Sequence, residues 1–130
     1  MIEGLAHIGV AVKDIDEGIQ FFEEKFGAVL DASYGKADFG LHISAVVRIN
    51  DLAFELLQPT QEGVGPVGKF IAEKGEGIHH ISLKVDKFAT AKEDFEGKGM
   101  KVTGEMAGIM AFLHPKTCKG ILTEFTEVTS

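Results

Sequence analysis

The chain carries one strand-like stretch twice. Ala6-His7-Ile8-Gly9-Val10-Ala11-Val12-Lys13-Asp14 and His79-His80-Ile81-Ser82-Leu83-Lys84-Val85-Asp86-Lys87 superpose at a constant offset of 73 residues. In both, a histidine opens an apolar, β-favouring run that closes on charged residues. Each run is followed by helical periodicity, and Phe95 stands at the same offset of 73 from Phe22. A chain that repeats a strand and its helix is built of two like modules, a strong constraint on topology.

The first module is expected to span about 1–60. Leu5 to Val12 reads as a strand, with His7, Gly9 and Ala11 on one face. Asp14 and Glu17 have capping-box spacing, and Ile15, Ile19, Phe22 and Phe26 predict one apolar helical face. Gly27 is placed to end that helix. Strands are predicted at Ala28–Ser33, Leu41–Ile49 and Leu52–Gln58, with a polar loop from Tyr34 to Gly40 and a turn at Asn50-Asp51. A connector at about 61–75 holds a short helix opened by Pro66 and stopped by Gly75. The second module, about 76–130, repeats the order: a strand at Ile78–Val85 and a helix at Lys87–Gly97 with Phe88, Ala91 and Phe95 inward. Strands at 101–105, 108–114 and 120–126 complete it. Each module is β-α-β-β-β, and together they form one domain over 1–130.

Composition narrows the function. A net charge of −7, with scattered lysines and Arg48 as the sole arginine, argues against a nucleic-acid partner. No apolar run approaches the ~18 residues of a membrane span. The N-terminus shows no secretion signal, so a cytoplasmic location is expected. Cys118 is the single cysteine and excludes an internal disulfide. It sits in a Lys-Thr-Cys-Lys-Gly turn and is expected to be an exposed, incidental thiol.

Four metal-capable side chains fall at related places. His7 and His80 open the first strands of their modules, while Glu55 and Glu124 lie in the last strands at an offset of 69. If the modules pack about a pseudo-two-fold axis, these positions converge on one cleft. Two imidazoles and two carboxylates suit a divalent ion of the Mn, Fe, Co, Ni or Zn group, with room left for substrate. Such an ion can polarise a carbonyl and stabilise the enolate left when a neighbouring C–H loses its proton. His79 points away from His80 along the strand, and it is read as structural, as are His42 and His114.

At these residues the chain resembles the vicinal oxygen chelate superfamily, which holds glyoxalase I, the bleomycin resistance proteins and the extradiol dioxygenases. Within it the chain looks most like the methylmalonyl-CoA epimerases. The segments that carry the likeness are His7–Asp14, Glu55-Leu56-Leu57-Gln58-Pro59, Gly75-Glu76-Gly77-Ile78-His79-His80-Ile81 and Phe112-Leu113-His114-Pro115-Lys116. The resemblance implies an α+β fold of two βαβββ modules forming a half-open mixed β-barrel around the metal. It implies that His7, Glu55, His80 and Glu124 are the ligands, with Glu124 also moving a proton. The implied substrate is an acyl thioester of the methylmalonyl-CoA type, epimerised at its α-carbon, and the implied assembly is a homodimer. Lys116 and Lys119 are candidates for CoA phosphate contacts, or are solvated turn lysines. The epimerases of this kind can carry a further carboxylate on the strand before Glu55; Leu41–Ile49 has none, and Ser44 stands near that place. A glyoxalase-I-like lyase and a non-catalytic small-ligand binding or resistance protein of the same fold are the alternatives.

Overall fold

The structure is a computed structural model that describes residues 1–127, so the expected end of module two at 128–130 lies outside the described residues. It is a mixed α+β fold with three α-helices and nine strands among those residues. Its contacts define two compact units, Ile8–His79 and a pairing of Met1–His7 with His80–Ser130. The first strand, β1 (Ile2–Ala11), therefore contributes to both units.

In the Ile8–His79 unit, β1 leads into α1 (Ile15–Phe26). The Asp14 carboxylate accepts the Glu17 N–H at 3.0 Å, satisfying a donor that has no partner inside the helix. Gly27 ends α1 at φ 68°, a left-handed conformation that glycine adopts without a Cβ clash. Ile15, Ile19 and Phe22 form its buried face. Phe26, expected on that face, is instead 53% exposed in the last turn and packs edge-on against Phe21 and Phe22. The strands β2 (Val29–Leu30), β4 (His42–Ile49), β5 (Leu52–Pro59) and β1 lie side by side in that order, with β3 (Ala37–Asp38) on β4. The expected strand 28–33 shrinks to β2 because the Asp31 carboxylate accepts the Ser33 and Tyr34 N–H groups and folds the chain into a turn.

The antiparallel β4–β5 register pairs Ser44 with Leu57 and Val46 with Glu55. Strand alternation therefore separates Ser44, Val46, Glu55 and Leu57 from Ala45, Val47, Phe54 and Leu56 on the opposite face. The second set packs with Val12, Ile15, Ile19 and Phe22. On the first face, Leu57 packs with Ala11 and with Val67 of α2 (Gly65–Lys74).

The other unit continues from β6 (Gly77–Val85) through α3 (Phe88–Gly97), β7 (Val102–Met106), β8 (Met110–Leu113) and β9 (Thr123–Glu127). A 3-10 turn at Pro115–Thr117 precedes β9. Its strand order is β1-β6-β9-β8-β7, and β6 and β9 run parallel with Ser82 opposite Glu124. Helix α3 seats Phe88, Ala91 and Phe95 on Val85, Ala111, Leu113 and Phe125. The Phe88 ring stacks on Phe125 at 5.1 Å and Phe95 meets it edge-on at 5.0 Å. No side chain of Lys87 caps α3; the Glu127 carboxylate, from β9, accepts the Phe88 N–H at 2.9 Å instead. Because Phe125 points into this core, alternation turns Glu124 to the other face of β9.

Candidate metal centre

Three strands meet at this site. His7 comes from β1, His80 from β6 and Glu124 from β9. One donor atom from each lies within 4.8 Å of the others. The two histidine Nε2 atoms are 3.0 Å apart, and His7 Nε2 is 3.7 Å from Glu124 Oε2. Two ligands bound about 2.1 Å from a common ion and at right angles to one another stand ~3.0 Å apart. The imidazole pair thus has the spacing of adjacent ligands on one ion. The donor set, two neutral nitrogens and an anionic oxygen, fits a divalent transition metal.

Packing holds the donors in place. His80 is 5% and Glu124 7% exposed. The His80 ring sits edge-on to Phe112, with centroids 5.9 Å apart, and nearly perpendicular to the His7 ring. Ser82 is fully buried and its hydroxyl donates to Glu124 Oε2 at 2.6 Å. The carboxylate is therefore fixed by a charge-assisted hydrogen bond from β6, the strand that also carries His80.

Glu55 lies in the Ile8–His79 unit, half-buried on β5 opposite Val46. The Tyr34 hydroxyl donates to its Oε2 at 3.3 Å and stands 2.6 Å from the hydroxyl of the fully buried Ser44. Sequence reasoning missed Ser82 and Tyr34 as partners of the glutamates. Ser82 was within reach of that reasoning, since two residues after His80 it shares the same strand face. Tyr34 sits in a polar stretch without periodicity, and nothing local signals its direction.

The remaining histidines pack or cap. His79 meets Phe70 edge-on at 5.2 Å, and His42 stacks on Phe39 at 5.2 Å. His114 Nδ1 accepts the Lys116 N–H at 3.1 Å at the start of the 3-10 turn. Cys118 corrects the expectation of an exposed thiol. The 3-10 turn folds it back, half-buried, against the α3 core, with Sγ 3.5 Å from Thr123 Oγ1. Lys116 within that turn and Lys119 just after it are both exposed.

Residues 6–112 match the model of the Glyoxalase/Bleomycin resistance protein/Dioxygenase superfamily, and the chain belongs to that superfamily. Within it, the chain groups with the methylmalonyl-CoA epimerases. It is 29% identical over 136 residues to the ethylmalonyl-CoA/methylmalonyl-CoA epimerase of Cereibacter sphaeroides, covering 98% of this chain and 100% of that one. It is 29% identical over 130 residues to the mitochondrial methylmalonyl-CoA epimerase of Homo sapiens, covering 95% of this chain and 73% of that one. A variant of the Streptomyces coelicolor methylmalonyl-CoA epimerase, solved in complex with 2-nitronate-propionyl-CoA, superposes with a TM-score of 0.86 at 30% identity over 100% of both chains. The likeness spans both modules and supports an isomerase of the epimerase kind.

Proposed function

We propose that the chain is a divalent-metal-dependent epimerase that moves the α-proton of a methylmalonyl-CoA-type thioester. The observation that carries this reading is the convergence of His7, His80 and Glu124 in a chain related to methylmalonyl-CoA epimerases along most of its length. The ion is one of the Co, Ni, Mn, Zn or Fe group, held by His7, His80 and Glu124. Glu55 is included as the fourth ligand on the strength of its matched place in the repeat. When bound, a divalent ion here supplies Lewis acidity that draws charge from the substrate's carbonyl oxygens and lowers the cost of losing the α-proton.

The residues of the chain do the rest. His7 and His80 present neutral nitrogens from two neighbouring strands. Glu124 moves the α-proton on one face of the substrate, as general base in one direction and general acid in the other, and a second group or water serves the opposite face, as inversion at the α-carbon requires. The burial of Glu124 slows exchange of its proton with solvent. Ser82 and Phe112 keep the Glu124 and His80 side chains from swinging out of position. The family resemblance adds a homodimer to this reading. Among the described residues, no helix is long and apolar enough to cross a membrane.

The experiment is incubation of the metal-loaded protein with methylmalonyl-CoA in deuterated water, following the α-proton by NMR. Metal-dependent loss of that signal is expected. One observation favours a second reading: β4 carries no carboxylate, and Ser44 is the polar residue buried on it. That suits a glyoxalase-I-like lyase, which isomerises a hemithioacetal by similar proton transfer. Turnover of a methylglyoxal–thiol adduct without exchange of the methylmalonyl-CoA proton would select the lyase and reject the epimerase.

A further inference from the structure

A carboxylate that both binds a metal and carries a proton has to divide these tasks between its two oxygens. The structure shows an asymmetry at Glu124 that matches such a division. The Ser82 hydroxyl donates to Oε2 at 2.6 Å, and the same Oε2 is the oxygen 3.7 Å from His7 Nε2. Oε1 takes neither contact. Ser82 and Glu124 are direct register partners on the parallel strands β6 and β9, so their backbones are fixed side by side. Ser82 is 0% exposed, so solvent does not compete for its single hydroxyl proton.

We infer that Ser82 is a positioning residue that assigns Oε2 of Glu124 to the metal and leaves Oε1 to carry the α-proton. One lone pair of Oε2 accepts the Ser82 hydroxyl, which leaves the other for an ion on the side of His7 Nε2. The carboxylate cannot rotate to offer both oxygens to the ion without breaking a short hydrogen bond to a charged acceptor. Residues that orient metal ligands in this way commonly contribute about 10- to 100-fold to metal affinity. The inference rests on the proposed metal-dependent reaction, and it adds to that reading which oxygen does which task and which residue decides it.

The test uses the full chain loaded with Co(II), in wild type and in Ser82→Ala. Three quantities are read: the visible absorption of the bound cobalt, the affinity by chelator competition, and kcat and KM for α-proton exchange. In Ser82→Ala the freed carboxylate is expected to change its binding mode. That change should alter the cobalt spectrum, weaken affinity by about 10- to 100-fold, and lower kcat with little change in KM. An unchanged spectrum and kcat overturn the inference, even if affinity falls, because a packing defect alone would give that pattern. Should Ser82→Ala fail to fold, Ser82→Cys, which keeps the volume but donates weakly, carries the same readouts and the same two outcomes. Wild-type protein that takes up no cobalt overturns the metal reading itself, a result distinct from a failure of the Ser82 assignment.

Discussion

The Nε2 atoms of His7 and His80 stand 3.0 Å apart although 73 residues separate them in sequence. Two imidazoles this close need either a shared proton or a shared ion. Replacing either ring removes one donor and leaves the other facing a cavity. His80→Ala and His7→Ala are therefore each expected to lower bound metal from about one ion per chain to a small fraction of that. Elemental analysis of dialysed protein checks this. Full metal retention in the double variant would eliminate the site.

Glu124→Gln keeps an oxygen donor and the Ser82 hydrogen bond but cannot accept a proton. Exchange of the substrate α-proton should fall by about 10²- to 10⁴-fold, while part of the metal remains bound. Near-normal exchange with metal in place would place the proton-carrying group elsewhere. Steady-state rates set beside metal content separate these outcomes.

Phe125 is the aromatic centre of the C-terminal unit's core, fully buried between Phe88 and Phe95. Its truncation leaves a ring-sized cavity next in sequence to Glu124. Phe125→Ala is expected to cost about 3–5 kcal/mol of stability and to loosen the strand that carries the carboxylate. Thermal or urea unfolding measures the first effect, and a lower metal affinity in the surviving folded protein reports the second.

Asp31 provides a pH test. The Ser33 hydroxyl, then the Arg48 guanidinium, hold its carboxyl down at about 2, well below the usual carboxylate range. A carboxyl whose value is lowered by folding adds stability that is complete above the unfolded value near ~4 and is lost as pH falls toward the folded value. Asp31→Asn should therefore be less stable than wild type at neutral pH. The gap should close progressively between about pH 4 and pH 2. A difference in melting temperature that stayed constant over that interval would show that the ionised form is not what holds the turn carrying Tyr34.

The fold was legible wherever a pattern repeated. The Asp14 cap, the Ile15, Ile19 and Phe22 face, the Gly27 stop and the inward Phe88, Ala91 and Phe95 follow from local periodicity and capping chemistry, and all are present. His7, His80 and Glu124 were selected because the repeat matched them across the chain, and the structure brings these three together. Local side-chain competition hid other features. Asp31 draws two backbone N–H groups and shortens a strand that β-propensity favours. The Pro115–Thr117 turn buries part of a cysteine whose neighbours are polar. Tyr34 reaches Glu55 and Ser44 from a loop with no periodicity to read. Such choices depend on which partner lies across the strand or under the turn, and sequence spacing does not carry that information.

His7 and Glu124, from β1 and β9, come together at the candidate centre although most of the described chain lies between them. During synthesis, His7 leaves the ribosome early but waits for β9 before its partners are complete. On the proposed reading, metal capture waits until β9 has been made, and a chain truncated before Glu124 would lack the carboxylate of the candidate centre.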